Sequence, residues 1–321
     1  MGMLSDDDIH GVCEAIELRF GELSGAEAAA DERPPDILYH YTSAEGFLGI
    51  VRSGELWATN ALYLNDASEL SHATGILEAE LKSVPLGLLS YSAAFPMGVQ
   101  RYLTGIRLDH FIVSFCEDRD LLSQWRGYGG APGAGYSIGF STSALQAAAA
   151  RSGSSPPEVC TLRRAKYCLS QKREMIRARI AALNEILNPV AGELEPARDG
   201  DSLNLLRYQI AASFHPTLAL MKHCAFEAES EWRLVRTLSK PLFLTADWPV
   251  KFRVVRGRLA PYLSIPWVLQ NNPSRPEVRG IREVCCGPSI DPEPTEVVRD
   301  LLTAWKCSGT QVLRSEAPLR A

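Results

Sequence analysis

Three short runs concentrate residue types that could build a reaction centre. The first is Leu38-Tyr39-His40-Tyr41-Thr42, where an imidazole stands between two phenols just before a helix start. Free N–H groups and the positive dipole end of a helix N-terminus favour anionic or carbonyl-bearing ligands. The plainer reading is a hydrogen-bonded core histidine, with Thr42 serving only as a cap worth about 1 kcal/mol. The second run is Glu227-Ala228-Glu229-Ser230-Glu231-Trp232-Arg233-Leu234. Strand alternation sets Glu229, Glu231 and Arg233 on one face, a carboxylate pair beside a guanidinium, with Trp232 and Leu234 on the other. Its plainer reading is a solvated acidic strand entrance. The third is Ser123-Gln124-Trp125-Arg126-Gly127-Tyr128, read as a loop. Arg126 and two aromatics offer stacking, cation–π contact and bidentate pairing with a pyrophosphate. A loop this aromatic is expected to lie over a core or over a ligand.

Other signatures are weaker. The chain has no G-x-G-x-x-G, no G-x-x-x-x-G-K-[ST] and no H-E-x-x-H, which removes the main sequence support for dinucleotide-fold, P-loop and zincin readings. Gly135-Tyr136-Ser137-Ile138-Gly139 has the form of a nucleophile elbow, but it reads as strand and follows a glycine-rich loop, so coincidence is preferred. A serine hydrolase would need Ser137 to meet His215 or His223, and a metal site would need those two histidines to converge; both read as packing or surface residues. Gly127, Gly129, Gly130, Gly133 and Gly135 could let a backbone approach phosphates, or make a flexible hairpin loop.

These runs need elements to hold them. Ile9, Val12, Ile16, Phe20 and Leu23 recur at helical spacing, so Asp6 to Leu23 is expected to be an amphipathic helix, followed by a loop from Gly25 to Pro35. Leu38 to Tyr41 reads as a buried strand, and Thr42 with Glu45 as the capping box of a helix that stops at Gly54. Further strands are expected at Leu56–Thr59, Asp109–Cys116, Tyr136–Phe140, Thr161–Cys168, Glu231–Arg236, Phe252–Gly257 and Arg282–Cys286. Helices are expected at Ser68–Leu81, Gln171–Leu187 and Leu203–His223, the last kinked or split by Pro216. Asn65-Asp66 reads as a turn. The order is α+β without regular alternation. The expected organisation is an N-terminal helix and linker over 1–35, one α+β domain over 36–290 with a helical insertion near 169–225, and a C-terminal helix and tail over 291–321.

Bulk properties bound the class. The 321 residues are 46% hydrophobic and 22% charged, an ordinary globular balance. No run of eighteen apolar residues occurs and Asp6-Asp7-Asp8 makes the N-terminus acidic, so neither membrane insertion nor export is expected. Eight cysteines without C-x-x-C spacing announce no disulfide framework and no zinc site, and fit a reducing cytoplasm. A net charge of −5 gives no footprint for general nucleic-acid binding. Arg163-Arg164, Lys166 and Lys172-Arg173 read as solvated strand and helix faces.

The residues also carry a resemblance. Leu-Tyr-His-Tyr-Thr-Ser from Leu38, Gly-Glu-Leu-Trp from Gly54, Ile-Val-Ser-Phe-Cys-Glu from Ile112, Leu-Leu-Ser-Gln-Trp-Arg-Gly-Tyr-Gly from Leu121, Glu-Trp-Arg from Glu231 and Cys-Gly-Pro from Cys286 resemble the bacterial family catalogued as domain of unknown function 2971, over about Leu38 to Pro288. More distantly, His40-x-Thr42, the capped helix and Gly54-Glu55-Leu56 look like the opening of the histidine-tyrosine-glutamate ADP-ribosyltransferases. Glu229-Ser230-Glu231 is similar to the glutamate-x-glutamate strand of their arginine-specific branch. Phe115 stands where that pattern has a tyrosine, with Tyr128 or Tyr136 as substitutes.

The second resemblance implies a split mixed and antiparallel β core and NAD as substrate. His40 would bond a ribose hydroxyl, Tyr41 and Thr42 would hold the nicotinamide carboxamide, and Phe115 or Tyr128 would stack on its ring. Ser123, Trp125 and Tyr136 would line the cofactor site, and Arg126 would pair with the pyrophosphate. Glu231 would bind the ribose 2′-hydroxyl and stabilise the developing oxocarbenium ion, while Glu229 orients the nucleophile. The implied function is NAD-dependent ADP-ribosyl transfer to a protein or nucleic-acid acceptor, as a toxin or antiviral effector. NAD glycohydrolysis and a non-catalytic nucleotide-binding sensor are the alternatives.

Overall fold

The computed structural model describes residues 5–64, 68–83, 109–128, 134–152, 160–193, 201–238, 249–255, 257–267, 280–289, 294–307 and 309–318. The expected Asn65-Asp66 turn and Gly129, Gly130 and Gly133 lie outside the described residues. Two sheets organise an α+β fold. The smaller contains β1 (Ile37–Thr42), β4 (Tyr136–Ser141), β9 (Ile281–Cys286) and β10 (Gln311–Arg314) in the order β1-β4-β9-β10, antiparallel except for the parallel β9/β10 pair. The larger is wholly antiparallel, in the order β5-β6-β3-β2-β8-β7. It contains β2 (Glu55–Asn60), β3 (Asp109–Phe115), β5 (Cys160–Arg164), β6 (Trp232–Leu238), β7 (Lys251–Val255) and β8 (Arg258–Pro266). An isolated antiparallel bridge joins the two: Tyr39 N donates to Cys116 O at 2.9 Å, and Cys116 N to Tyr39 O at 2.8 Å.

One apolar core spans both sheets. Leu38, Ile138, Phe140 and Val284 from the smaller meet Leu56, Phe111, Val113, Leu234 and Ile265 from the larger. Three helices close it: α2 (Ala44–Ser53) through Phe47, Ile50 and Val51, α5 (Thr142–Ser152) through Leu145 and Ala148, and α8 (Pro294–Ala304) through Val298 and Leu302. The start of α2 differs from expectation. Thr42 ends β1, and the N-cap is Ser43, whose hydroxyl accepts from Gly46 N at 3.3 Å. Gly54 does terminate the helix, at φ 68°, a left-handed conformation in which glycine has no Cβ to clash.

A second core belongs to helices. The first, α1, runs Asp6–Ala30, past the expected loop start at Gly25, because the alanine-rich stretch simply continues it. Its Ile9, Ile16 and Phe20 pack with Ile176, Ile180 and Leu183 of α6 (Leu169–Leu187), Ile210 and Phe214 of α7 (Asp201–Leu218), and Leu77 of α3 (Ser68–Ser83). Pro216 lies inside α7, which ends two residues later.

Ions fasten this layer to the larger sheet. Asp31, just beyond α1, receives Arg163 Nε at 2.9 Å and also pairs with Lys166. Arg179 grips Glu27 with Nη1–Oε1 at 2.5 Å. Arg163 and Lys166, expected on solvated faces, are therefore buried, and so is Lys172, whose Nζ donates to the Lys222 carbonyl at 2.6 Å. The expected strands at Phe252–Gly257 and Thr161–Cys168 are shorter, while β8 and β10 were not anticipated. No helix among the described residues is long and apolar enough to cross a membrane.

Candidate functional site

A cleft of about 980 Å³ opens between the sheets. The end of β1 supplies His40, Tyr41 and Thr42 to one wall; Ser123 and Tyr128 come from α4 (Leu122–Tyr128). Glu229, Glu231 and Arg233 line it from the entry to β6. Three runs far apart in the chain thus converge, as a shared site requires.

His40 is fixed by its backbone neighbourhood. Nδ1 lies 2.9 Å from the carbonyl oxygen of Ser114, an atom that can only accept, so Nδ1 carries the proton and Nε2 is left as an acceptor. Burial pushes the imidazole pKa down; the Ser114 carbonyl works the other way and Arg253 adds to the lowering. His40 is accordingly neutral near pH 7. Phe115 lies behind it, fully buried, with ring centroids 5.8 Å apart.

The opposite wall is a closed charge cluster. Glu231 is 2% exposed, and its Oε1 accepts from Arg233 Nε at 2.9 Å. Oε2 accepts from Lys222 Nζ at 2.5 Å and from Arg233 Nη2 at 3.1 Å. Lys222 also donates to Glu229 at 2.5 Å, and Arg233 Nη2 to Glu69 at 2.6 Å. Burial raises the Glu231 carboxyl, but Arg233 and Lys222 outweigh it and hold the pKa at about 2. Lys222 is destabilised by burial, yet Glu231 and Glu229 carry its pKa well up. Three carboxylates against two cations leave the cluster a formal −1. A carboxylate offers about four lone-pair positions, so Glu231 keeps one for a ligand, on Oε1.

The strand that was expected to array these groups starts later. Glu229 ends a 3-10 turn, Cys224–Glu229; Ser230 adopts φ 42°, ψ 52°; β6 begins at Trp232. The left-handed Ser230 folds Glu229 back toward Lys222, so alternation aligns only Glu231 with Arg233. The Glu231 amide donates to Tyr167 Oη at 2.9 Å, fixing the backbone at this kink.

Four of the expected site residues do not line the cleft. The Ser123–Tyr128 run is the helix α4 and not a loop, because Trp125 is buried to 1% exposure. Its Nε1 donates to Asp120 at 2.7 Å, and its ring packs edge-to-face with Tyr41, centroids 4.8 Å apart, so it braces Tyr41. Phe115 braces His40. Tyr136 stacks on Phe47 at 4.7 Å. Arg126, in the last turn of α4, is absent from the cleft lining. Ser137 is wholly buried in β4 opposite Tyr41, and His215 stacks on His110 at 5.3 Å in the other sheet's surroundings, which disposes of the elbow reading.

Sequence reading missed Lys222, Glu69, Trp57 and Arg253. Lys222 directly precedes the acidic turn, and its proximity to Glu227 and Glu229 was a usable signal; Glu69 sits in a distant helix and had none. Comparison with known proteins gives one match: no curated protein and no solved structure matches the chain. Residues 124–234 match the family described as Protein of unknown function (DUF2971), a span that contains α4 from its third residue onward, helices α6 and α7 and the Glu229 to Arg233 cluster, and is shorter than the 38–288 resemblance read from the sequence.

Proposed function

We propose that the protein transfers ADP-ribose from NAD to a macromolecular acceptor, on a core of the ADP-ribosyltransferase kind. One observation carries the reading: neutral His40, on β1, and ionised Glu231, at the entry to β6 of the other sheet, line a single cleft large enough for a dinucleotide. His40 Nε2 accepts a hydrogen bond from a ribose hydroxyl. Glu231 Oε1 accepts the 2′-hydroxyl, and the net negative cluster stabilises positive charge at the anomeric carbon as the nicotinamide bond breaks, its electron pair passing to the nicotinamide nitrogen. The acceptor's nucleophile, oriented by Glu229, then bonds to that carbon and releases its proton to solvent water at the cleft mouth. Tyr128, exposed at the cleft, is the stacking surface for nicotinamide, and Tyr41, Thr42 and Ser123 shape the pocket.

Purified protein incubated with labelled NAD and cell extract tests this. Label transferred to protein or nucleic acid by the wild type, and lost in Glu231→Gln, is the expected result. Equal labelling by both would remove Glu231 from catalysis. Free ADP-ribose without transfer would identify a glycohydrolase. The engagement of both Glu231 oxygens with Lys222 and Arg233 favours a second reading, a nucleotide-binding module without turnover, in which NAD raises the melting temperature and is not consumed.

A further inference from the structure

Arg253, half-buried on β7, differs from three fully buried arginines of this fold. Arg163, Arg179 and Arg233 each face carboxylates. Arg253 forms no ion pair among the described residues. Its guanidinium lies 5.3 Å from the Trp57 ring and 5.6 Å from the Tyr262 ring, Nη2 donates to Thr59 Oγ1 at 2.7 Å, and Nε is buried with no acceptor. The side chain lines the same cleft as His40 and Glu231.

A guanidinium partly withdrawn from water, with its Nε unpaired and no counterion, is held at a cost, and natural sites relieve it by an anion. Its flat fork suits two oxygens at once, and the Trp57 and Tyr262 rings beside it limit where it can move. Burial depresses the Arg253 pKa, a shift that an incoming anion would oppose. A phosphoryl group, with several acceptor oxygens on one centre, satisfies these donors better than a single carboxylate. We propose that Arg253 is the anion anchor of the cleft and takes a phosphoryl group, the pyrophosphate of the dinucleotide if the NAD reading holds. Arg126, outside the cleft, does not perform this task. The phosphates then run along the β2, β7 and β8 side, and the nicotinamide end points to His40 and Tyr128.

The test measures binding to the full chain by calorimetry and thermal shift. Probes are inorganic pyrophosphate, malonate, NAD and nicotinamide riboside. Expected is binding of pyrophosphate and NAD that weakens about tenfold or more in Arg253→Gln, less in Arg253→Lys, and not at all in Arg126→Gln. Nicotinamide riboside, which lacks phosphate, should bind Arg253→Gln as it binds the wild type, which also shows that the variant is folded. Pyrophosphate binding without NAD binding keeps the anchor and removes the NAD reading. NAD binding that is indifferent to Arg253→Gln removes the anchor and keeps the NAD reading. Malonate binding as tightly as pyrophosphate, or no binding of either anion or NAD, overturns the phosphoryl assignment.

Discussion

Arg233 reaches across one intervening residue to hold Glu231 with both ends of its fork, Nε to Oε1 at 2.9 Å and Nη2 to Oε2 at 3.1 Å. Both side chains are about fully buried, so the pair is part of the fold as well as of the cleft. Removing one member leaves the other charged in a low-dielectric place, which is far more damaging than never having had the pair.

Arg233→Ala is therefore expected to destabilise the protein by about 3–5 kcal/mol, read by urea denaturation. Arg233→Met, similar in length but uncharged, should cost as much, because Glu231 still lacks a partner on Oε1. A loss under about 1 kcal/mol in both variants would mean that Lys222 alone suffices.

The ties of α1 predict a contrast between neighbours. Asp31, 11% exposed at its side chain, serves both Arg163 and Lys166, whereas Glu32, 77% exposed, pairs with Arg164 at the surface. Asp31→Asn should cost about 3 kcal/mol, and Glu32→Gln no more than about 0.5 kcal/mol. Equal effects in urea melts would remove the distinction.

Acid should loosen the fold in two stages. Burial holds His215 at about 4, and burial with the neighbouring His215 holds His110 well below its ordinary 6.5. A depressed histidine is neutral when folded, so the unfolded chain binds more protons below pH 6.5, and stability is lost as pH falls from there toward 4. His215 alone accounts for on the order of 2 kcal/mol between pH 8 and pH 5. Glu231, ordinarily at 4.5 and held at about 2, adds a loss below pH 4.5. Thermal melts across this range should show the first stage diminished in His215→Phe; an unchanged slope there would assign it elsewhere.

Gly46 is the closest approach between α2 and β1. A Cβ on it would overlap Thr42 Oγ1, while the Thr42 Cβ would stand 3.3 Å away. Gly46→Ala should cost about 1–3 kcal/mol and be partly rescued by Thr42→Ala, a non-additivity visible in a double-mutant cycle. Strict additivity would show that the helix shifts and Thr42 does not.

The sequence made most of the site's components legible, because chemistry-bearing residues stand out against apolar strands: His40, Tyr41, Thr42, Ser123, Tyr128, Glu229 and Glu231 all reach the cleft. What misled was treating aromatic residues as ligand surfaces. Phe115, Trp125 and Tyr136 pack under that surface, and one-dimensional spacing cannot distinguish a ring over a ligand from a ring beneath it. Short α4 read as a loop for the same reason, since seven residues with one buried tryptophan carry little periodicity. Lys222 and Arg253 escaped because their role depends on which charges meet, or fail to meet, after folding. Strands β8 and β10 escaped because Pro261 interrupts the first pattern and the second has four residues.

The bridge between Tyr39 and Cys116 gives the cleft a mechanical character. The two sheets are separate hydrogen-bonded lattices joined at this seam, and the hydrogen bond of His40 to Ser114 lies beside the same stitch. The spacing of the cleft walls is thus governed by two strands, β1 and β3, near their ends. A ligand of the proposed kind, touching His40 on one lattice and Glu231 at the entry to the other, would act as a second stitch across the seam, so that occupancy of the cleft and the rigidity of the sheet pair would rise together.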